Sequence, residues 1–159
     1  MKKLGLYLES AFRSMKIFYQ KIENPRQLIY KIVFPESGIL CGTVTLVVDE
    51  MFSAEISAFI ARGVAEDRRI SVLEEINRVN DKCCFINVGM DDKNDVYSYQ
   101  QFILAGDEHI MCKQIVTNLI VFYDMHKRTA EKIYRLYFLL FCKNTIYLSL
   151  LHCRYRCVW

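Results

Sequence analysis

The segment "VLEEINRVNDKCCFINVGMDDKNDVYSY", residues 72–99, decides the predicted fold. Its first part has helical periodicity, because four apolar residues fall on one arc of about 120°, the width of a stripe that faces a core. These residues are Val72, Leu73, Ile76 and Val79. The second part alternates as β-strands do, on both sides of the acidic loop 91–95. The segment therefore predicts a helix that passes directly into a β-hairpin with strands 83–90 and 96–104.

Two asparagines, Asn77 and Asn80, stand near the end of the predicted helix. Asparagine tolerates the left-handed backbone conformation that often follows a helix. An amide on the core-facing arc can also bond to the backbone of a strand and fix how the helix meets the sheet. The pattern favours this structural role at the helix end over contact with a ligand.

The residues before this segment predict four more strands. Runs rich in β-branched and aromatic residues are separated by short links, and Pro25 and Pro35 both fall at these breaks. The runs are 15–22, 27–34, 39–48 and 52–61. This spacing predicts a four-stranded antiparallel meander. Helices are predicted at 2–13, at 66–80 and from Glu108 onward, with Asp107 as the cap of the last one.

The charge distribution argues against nucleic-acid binding. The chain of 159 residues has a net charge of +3. Lys143, Arg154 and Arg156 are the only charged residues from position 143 onward, so residues 1–142 sum to zero. A neutral body has no large field with which to attract phosphate backbones.

The seven cysteines could form disulfides, but the N-terminal sequence argues for a reducing compartment. The N-terminal stretch "MKKLGLYLESAF" has only a short apolar run, interrupted by Glu9, and no small-residue cleavage site. We therefore expect reduced, mostly buried cysteines and a cytoplasmic protein.

A search for catalytic or metal-binding motifs yields no candidate, so we expect no cofactor. His109 and His126 lack a second ligand at metal spacing, and "HCRYRC" (152–157) lacks a fourth ligand for zinc. Cys83 and Cys84 are predicted to open a strand and to point to opposite faces. The run "DDKNDVYSYQQF" departs from a calcium loop at Lys93, at the missing glycine and at its last position.

The order of these motifs resembles the YbjN family of small bacterial proteins. A helix ending in "INRVN" precedes "FINVGMD" and "DVYSYQQFIL", and the block "SAFIARGVAEDRRISVLEEINRVN" lies before them in the family's order. The resemblance covers residues 2–137. It implies a single domain with an α+β fold similar to that of type III secretion chaperones, in which helices lie on one side of a twisted antiparallel sheet. The family is described as sensory-transduction regulators, and the resemblance implies no catalytic residues.

The C-terminal segment, residues 138–159, departs in composition from the body. From Leu136 onward the chain is apolar, aromatic and basic, with no acidic residue. Three interpretations remain open: an extension of the last helix, a contact with a membrane, and a non-native ending from a shifted reading frame. Arg135 and Lys143 would be costly within a bilayer, so membrane contact is the less favoured of these.

The predicted function is that of a non-enzymatic interaction module, chaperone-like or regulatory, which binds a protein partner or a second copy of itself. The binding patch is predicted on one strand face, at Tyr97, Tyr99 and Gln101, because residues two apart share a face. The alternative is a small-ligand-binding protein or an enzyme with a pocket between the last helix and the sheet.

Overall fold

The computed structural model describes residues 1–34 and 42–139 of the chain. Within these residues the strands are β1 (Phe18–Ile22), β2 (Gln27–Val33), β3 (Val44–Asp49), β4 (Ser53–Ala61), β5 (Asn87–Met90) and β6 (Val96–Ile103). The helices are α1 (Lys2–Ser14), α2 (Arg69–Asn80) and α3 (Glu108–Leu139), with one 3₁₀ turn, Glu66–Arg68, directly before α2.

The strands form one antiparallel sheet in the order β1-β2-β3-β4-β6-β5. Strands β1 to β4 pair in chain order, which confirms the predicted meander. Strands β5 and β6 form the predicted hairpin, and β6 pairs with β4. The hairpin therefore extends the meander into a single six-stranded sheet, and the α+β prediction is confirmed.

One face of the sheet, here called the inner face, carries most of the hydrophobic core. Its buried residues on β2 to β4 include Leu28, Tyr30, Ile32, Val44, Leu46, Val48, Ala54 and Ile56. Helices α1 and α3 pack against them through Leu4, Leu8, Phe12, Cys112, Ile115, Leu119 and Phe122. Full burial of one such aliphatic side chain contributes about 2 kcal/mol, so this layer supplies the main driving force for folding.

Helix α2 packs on the same side of the sheet. Three of the four residues of its predicted apolar stripe, Val72, Ile76 and Val79, are buried, and Leu73 is half-buried. The stripe lies in a second apolar cluster with Val88, Val96, Ala130 and Ile133. None of the three described helices covers the opposite face of the sheet, which is called the outer face below.

The start of α3 follows the prediction closely. Asp107 Oδ1 accepts hydrogen bonds from the backbone N–H groups of His109 and Ile110, both at 2.9 Å. These bonds, led by the one from Ile110, lower the pKa of the Asp107 carboxyl. The carboxylate thus satisfies two of the free N–H groups at the helix N-terminus.

Strand β1 begins three residues later than predicted. Lys16 has a φ of 56°, and the N–H groups of Lys16 and Ile17 bond to the carbonyls of Arg13 and Phe12. This pattern is a Schellman motif, which closes α1 and occupies the residues expected to open the strand.

Strand β5 also begins later than predicted, and the prediction for the two neighbouring cysteines is wrong. The chain turns at residues 81–86, and the strand starts at Asn87. Cys83 and Cys84 lie in this turn as free thiols, the first half-buried and the second exposed. Because they are not in a strand, they do not point to opposite faces of the sheet.

The Asn80 side chain joins the end of α2 to β5, an edge strand of the sheet. Its Nδ2 donates to the carbonyl of Val88 and its Oδ1 accepts from the N–H of Val88, both at 2.9 Å. The backbone after the helix is not left-handed, because the C-cap residue Asp81 has a φ of −61°. Asn77 is exposed. The amide of Asn80 thus occupies backbone groups of β5 that would otherwise form an open sheet edge.

The atypical C-terminal segment, residues 138–159, lies outside the described residues except for the last residues of α3. Within residues 1–34 and 42–139, no helix is both long enough and apolar enough to cross a membrane.

Candidate functional site

The predicted patch lies on the outer face of the sheet. Tyr97, Tyr99 and Gln101 alternate along β6 with Ser98, which is fully buried on the inner face. Tyr97 and Tyr99 are half-buried, and Gln101 is exposed. The rings of the two tyrosines tilt toward one another with centroids 5.8 Å apart. The structure therefore brings these two predicted residues together on a surface that no described helix covers.

Strand β4 supplies the neighbours of these residues. In the antiparallel register, Tyr97 lies opposite Phe59, Tyr99 lies opposite Ser57, and Gln101 lies opposite Glu55. Gln101 Nε2 donates a hydrogen bond of 2.9 Å to Glu55 Oε2.

Gly89 on β5 leaves room for the Tyr97 ring. The two residues are cross-strand partners. A Cβ at position 89 would lie 3.2 Å from the Tyr97 hydroxyl and from ring atom Cζ. The ring thus occupies the space that a side chain on β5 would fill, in the manner of an aromatic residue covering a strand glycine.

A depression of about 420 Å³ lies on this part of the outer face. Its lining combines aromatic rings, hydroxyl groups and two carboxylates: Thr43, Thr45, Glu55, Ser57, Ala58, Phe59, Asp91, Tyr97 and Tyr99. The volume lies within the lower part of the range for ligand pockets in proteins. We call it the outer-face depression.

The hairpin loop between β5 and β6 forms one wall of the depression. Asp91 Oδ1 accepts hydrogen bonds from the backbone N–H groups of Lys93 and Asp95. Asp95 accepts from the N–H of Gly63, and Arg69 donates to Asn94 Oδ1. The loop is therefore fixed both internally and to the chain that follows β4.

A basic residue stands next to the depression. The Arg62 guanidinium lies 4.3 Å from the centroid of the Phe59 ring, which is within the range of a cation–π contact. The register of β4 shifts between Phe59 and Ala61, and this irregularity precedes Arg62 directly. The aromatic part of the site thus already contacts a cation from the chain itself.

Three further aromatic residues of the sheet are divided between its two faces. Tyr30 is fully buried in the core, and Phe102 is half-buried against it. Phe18 is 70% exposed on the edge strand β1, opposite Val33. The aromatic residues of the outer face therefore form two separate groups.

The interface between α3 and the inner face carries a buried polar pair. Ser98 Oγ and His126 Nδ1 are 2.7 Å apart, and both residues are 0% exposed. His126 Nε2 has no hydrogen-bond partner among the described residues. Burial lowers the pKa of His126 to about 4, so the imidazole is neutral at physiological pH.

This buried pair is poorly suited to catalysis. A serine nucleophile needs access to substrate and a histidine base held by a third group. Next to the pair, Gln100 Nε2 donates to Asn118 Oδ1, and Asn118 Nδ2 donates to the carbonyl of Gln114. These side chains therefore form hydrogen bonds between α3 and the sheet. Within residues 1–34 and 42–139, no group of His, Cys, Asp and Glu residues could hold a metal ion.

Sequence reasoning missed the part of the outer-face depression that β4 and the hairpin loop supply. In "SAEISAFIA" every second residue faces the same side of the strand, and this period-two pattern could have placed Glu55, Ser57 and Phe59 on one face. Asp91 had no such signal, because its place depends on the path of the loop.

Comparisons of the chain with protein-family models and with curated proteins give no match. The resemblance to the YbjN family therefore stays a prediction from the order of the sequence motifs.

Proposed function

We propose that the protein is a non-enzymatic interaction module that binds a protein partner through the outer face of its sheet. In this proposal the chain is a YbjN-like protein with a fold similar to that of type III secretion chaperones, and it acts in the cytoplasm as a regulator or chaperone. Tyr97 and Tyr99 contact the partner, and Gln101 supports the site through Glu55.

The observation that carries the proposal is the group of one exposed and two half-buried aromatic rings at the outer-face depression, Phe59, Tyr97 and Tyr99. Phe59 is 45% exposed, and it lies opposite Tyr97 in the register of β4 and β6. Aromatic residues are enriched at protein interfaces, because a large ring buries much area at a low entropic cost. A sheet face that carries them without a covering helix is a natural docking surface.

The alternative function, an enzyme or small-ligand binder with a pocket between α3 and the sheet, has weaker support. Two polar groups at that interface, Ser98 and His126, are fully buried and bond to one another, and Gln100 bonds to Asn118 beside them. A substrate would have to displace core residues to reach them, so we prefer the outer face.

The proposal predicts that a double substitution on β6 strongly weakens partner binding. Y97T/Y99T removes both rings and places threonine, which is also favoured in strands, at both positions. It is expected to weaken binding about tenfold or more, as loss of central aromatic residues does. The measurement is affinity capture with the whole chain from cells that express it, followed by quantitative mass spectrometry.

The matched control is F18T/V33T, which removes an exposed apolar pair from the far end of the same face. A stoichiometric partner that is retained by wild type and by this control, and lost by Y97T/Y99T, supports the proposal. Equal recovery by all three proteins, or recovery of no partner by any of them, contradicts it. Recovery of a second copy of the chain identifies the partner as the protein itself.

A further inference from the structure

We infer that the outer-face depression binds an arginine side chain of the protein partner. This inference rests on the proposed function and adds the chemistry of the partner. It rests on the arrangement of three aromatic rings and two carboxylates around one depression on an uncovered sheet face.

The charge of the depression favours a cation. Glu55 and Asp91 are both half-buried and line it from β4 and from the hairpin loop. The lining residues include no lysine, arginine or histidine. Lys31 lies on the same face, as the cross-strand neighbour of Thr45, but it is not part of the lining. A positive group in the depression therefore meets two negative charges, and a negative group would be repelled.

The aromatic rings favour a guanidinium over an ammonium group. A planar guanidinium stacks on aromatic faces and forms paired hydrogen bonds with a carboxylate, and it is more weakly hydrated than an ammonium. Phe59 already contacts a guanidinium, that of Arg62 at 4.3 Å. Tyr97 and Tyr99 present two further rings within the same depression. The hydroxyl groups of Thr45 and Ser57 supply acceptors for the remaining N–H donors.

Arg62 has a defined role in this arrangement. Its guanidinium holds one face of the Phe59 ring at the edge of the depression, where a second cation would also be attracted. The charge of Arg62 therefore repels the incoming arginine electrostatically. Removal of this charge strengthens binding, which is the opposite of the usual effect of losing an interface residue.

The test uses the isotopically labelled full chain and a blocked peptide, acetyl-Thr-Val-Thr-Arg-Thr-Val-Thr-amide, observed by NMR titration. Matched peptides carry lysine or citrulline in place of arginine, since citrulline keeps the shape of the side chain and removes its charge. The arginine peptide is expected to shift the backbone signals of Glu55, Phe59, Tyr97 and Tyr99. It is expected to bind about tenfold more tightly than the citrulline peptide and more tightly than the lysine peptide.

Three variants test the assignment within the same titration. E55Q keeps an acceptor for Gln101 but removes the charge, and it is expected to weaken binding about fivefold. E74Q removes an exposed charge from α2 on the other side of the sheet and is the control with no expected change. R62M keeps an apolar stem over Phe59 and is expected to strengthen binding about threefold.

The outcomes separate this inference from the proposed function. Equal binding of the arginine and citrulline peptides, or shifts confined to another surface, overturns the inference. So does the absence of any shift with the arginine peptide. If partner capture still depends on Tyr97 and Tyr99 in those cases, the interaction surface stands and only the chemistry assigned to the partner is wrong. If capture fails as well, the proposed function falls with it.

Discussion

The conformational stability of this protein is expected to fall by about 2 kcal/mol between pH 7 and pH 5, because His126 takes up a proton in the unfolded state and not in the folded state. The imidazole is fully buried, and its pKa is lowered to about 4 by burial. In the unfolded chain the pKa of a histidine is about 6.5. Between these two values the unfolded state binds more protons than the folded state.

The direction of the change in stability with pH follows from this difference in proton binding. At neutral pH His126 is mostly uncharged in both states, so burial of the ring carries little charge penalty. As the pH falls below about 6.5, the unfolded state gains protonation free energy that the folded state does not. The loss of stability continues until the pH passes below about 4, where it reaches about 3 kcal/mol.

The measurement is urea unfolding at a series of pH values for wild type, H126Q and H109Q. H126Q is expected to lose this part of the pH dependence, whatever its stability at neutral pH. H109Q is the control, because His109 is exposed on the same helix and its replacement leaves His126 in place. Parallel pH profiles for wild type and H126Q would contradict the role of His126.

Replacement of Asn80 by alanine is expected to destabilise the protein by about 2 kcal/mol. The side chain bonds to both the N–H and the carbonyl of Val88. In an antiparallel strand both groups of one residue point to the same side, which here is the side away from β6. N80A therefore leaves two polar groups unsatisfied and opens the edge of β5 to association with another strand.

N77A is the matched control for this prediction. Asn77 lies three residues earlier on α2 and is exposed, so its replacement is expected to change the free energy of unfolding by less than about 0.5 kcal/mol. The site-specific readout is hydrogen exchange of the Val88 amide, which is expected to accelerate in N80A alone. Equal stability and equal exchange in the two variants would show that the edge bonds contribute nothing.

Much of the fold was predictable because its signals are local. The stripe Val72, Ile76 and Val79 fixes the buried face of α2, and Asp107 fixes the start of α3. The error at the start of β5 falls where the path of the chain overrides a local signal. The run "CCFINVGM" has strand composition from its first residue, but the chain needs residues 81–86 to pass from the end of α2 to the edge of the sheet. Tertiary connection overrides propensity there.

Only part of the candidate site was predictable, for a related reason. Tyr97, Tyr99 and Gln101 follow from the two-residue period of a single strand. Their partners Glu55 and Phe59 lie on β4, which is separated from β6 along the chain by α2 and β5. The register between such strands depends on packing of the whole sheet and has no local signature.

The most direct test of the proposed interaction surface is photo-crosslinking in the cells that express the protein. A benzophenone amino acid is placed either at Tyr99, on the outer face, or at Ile120, which is 46% exposed on α3. The proposal predicts a discrete crosslinked adduct with another protein chain from position 99 and none from position 120. An adduct from position 120 alone, or none from either position, would contradict it.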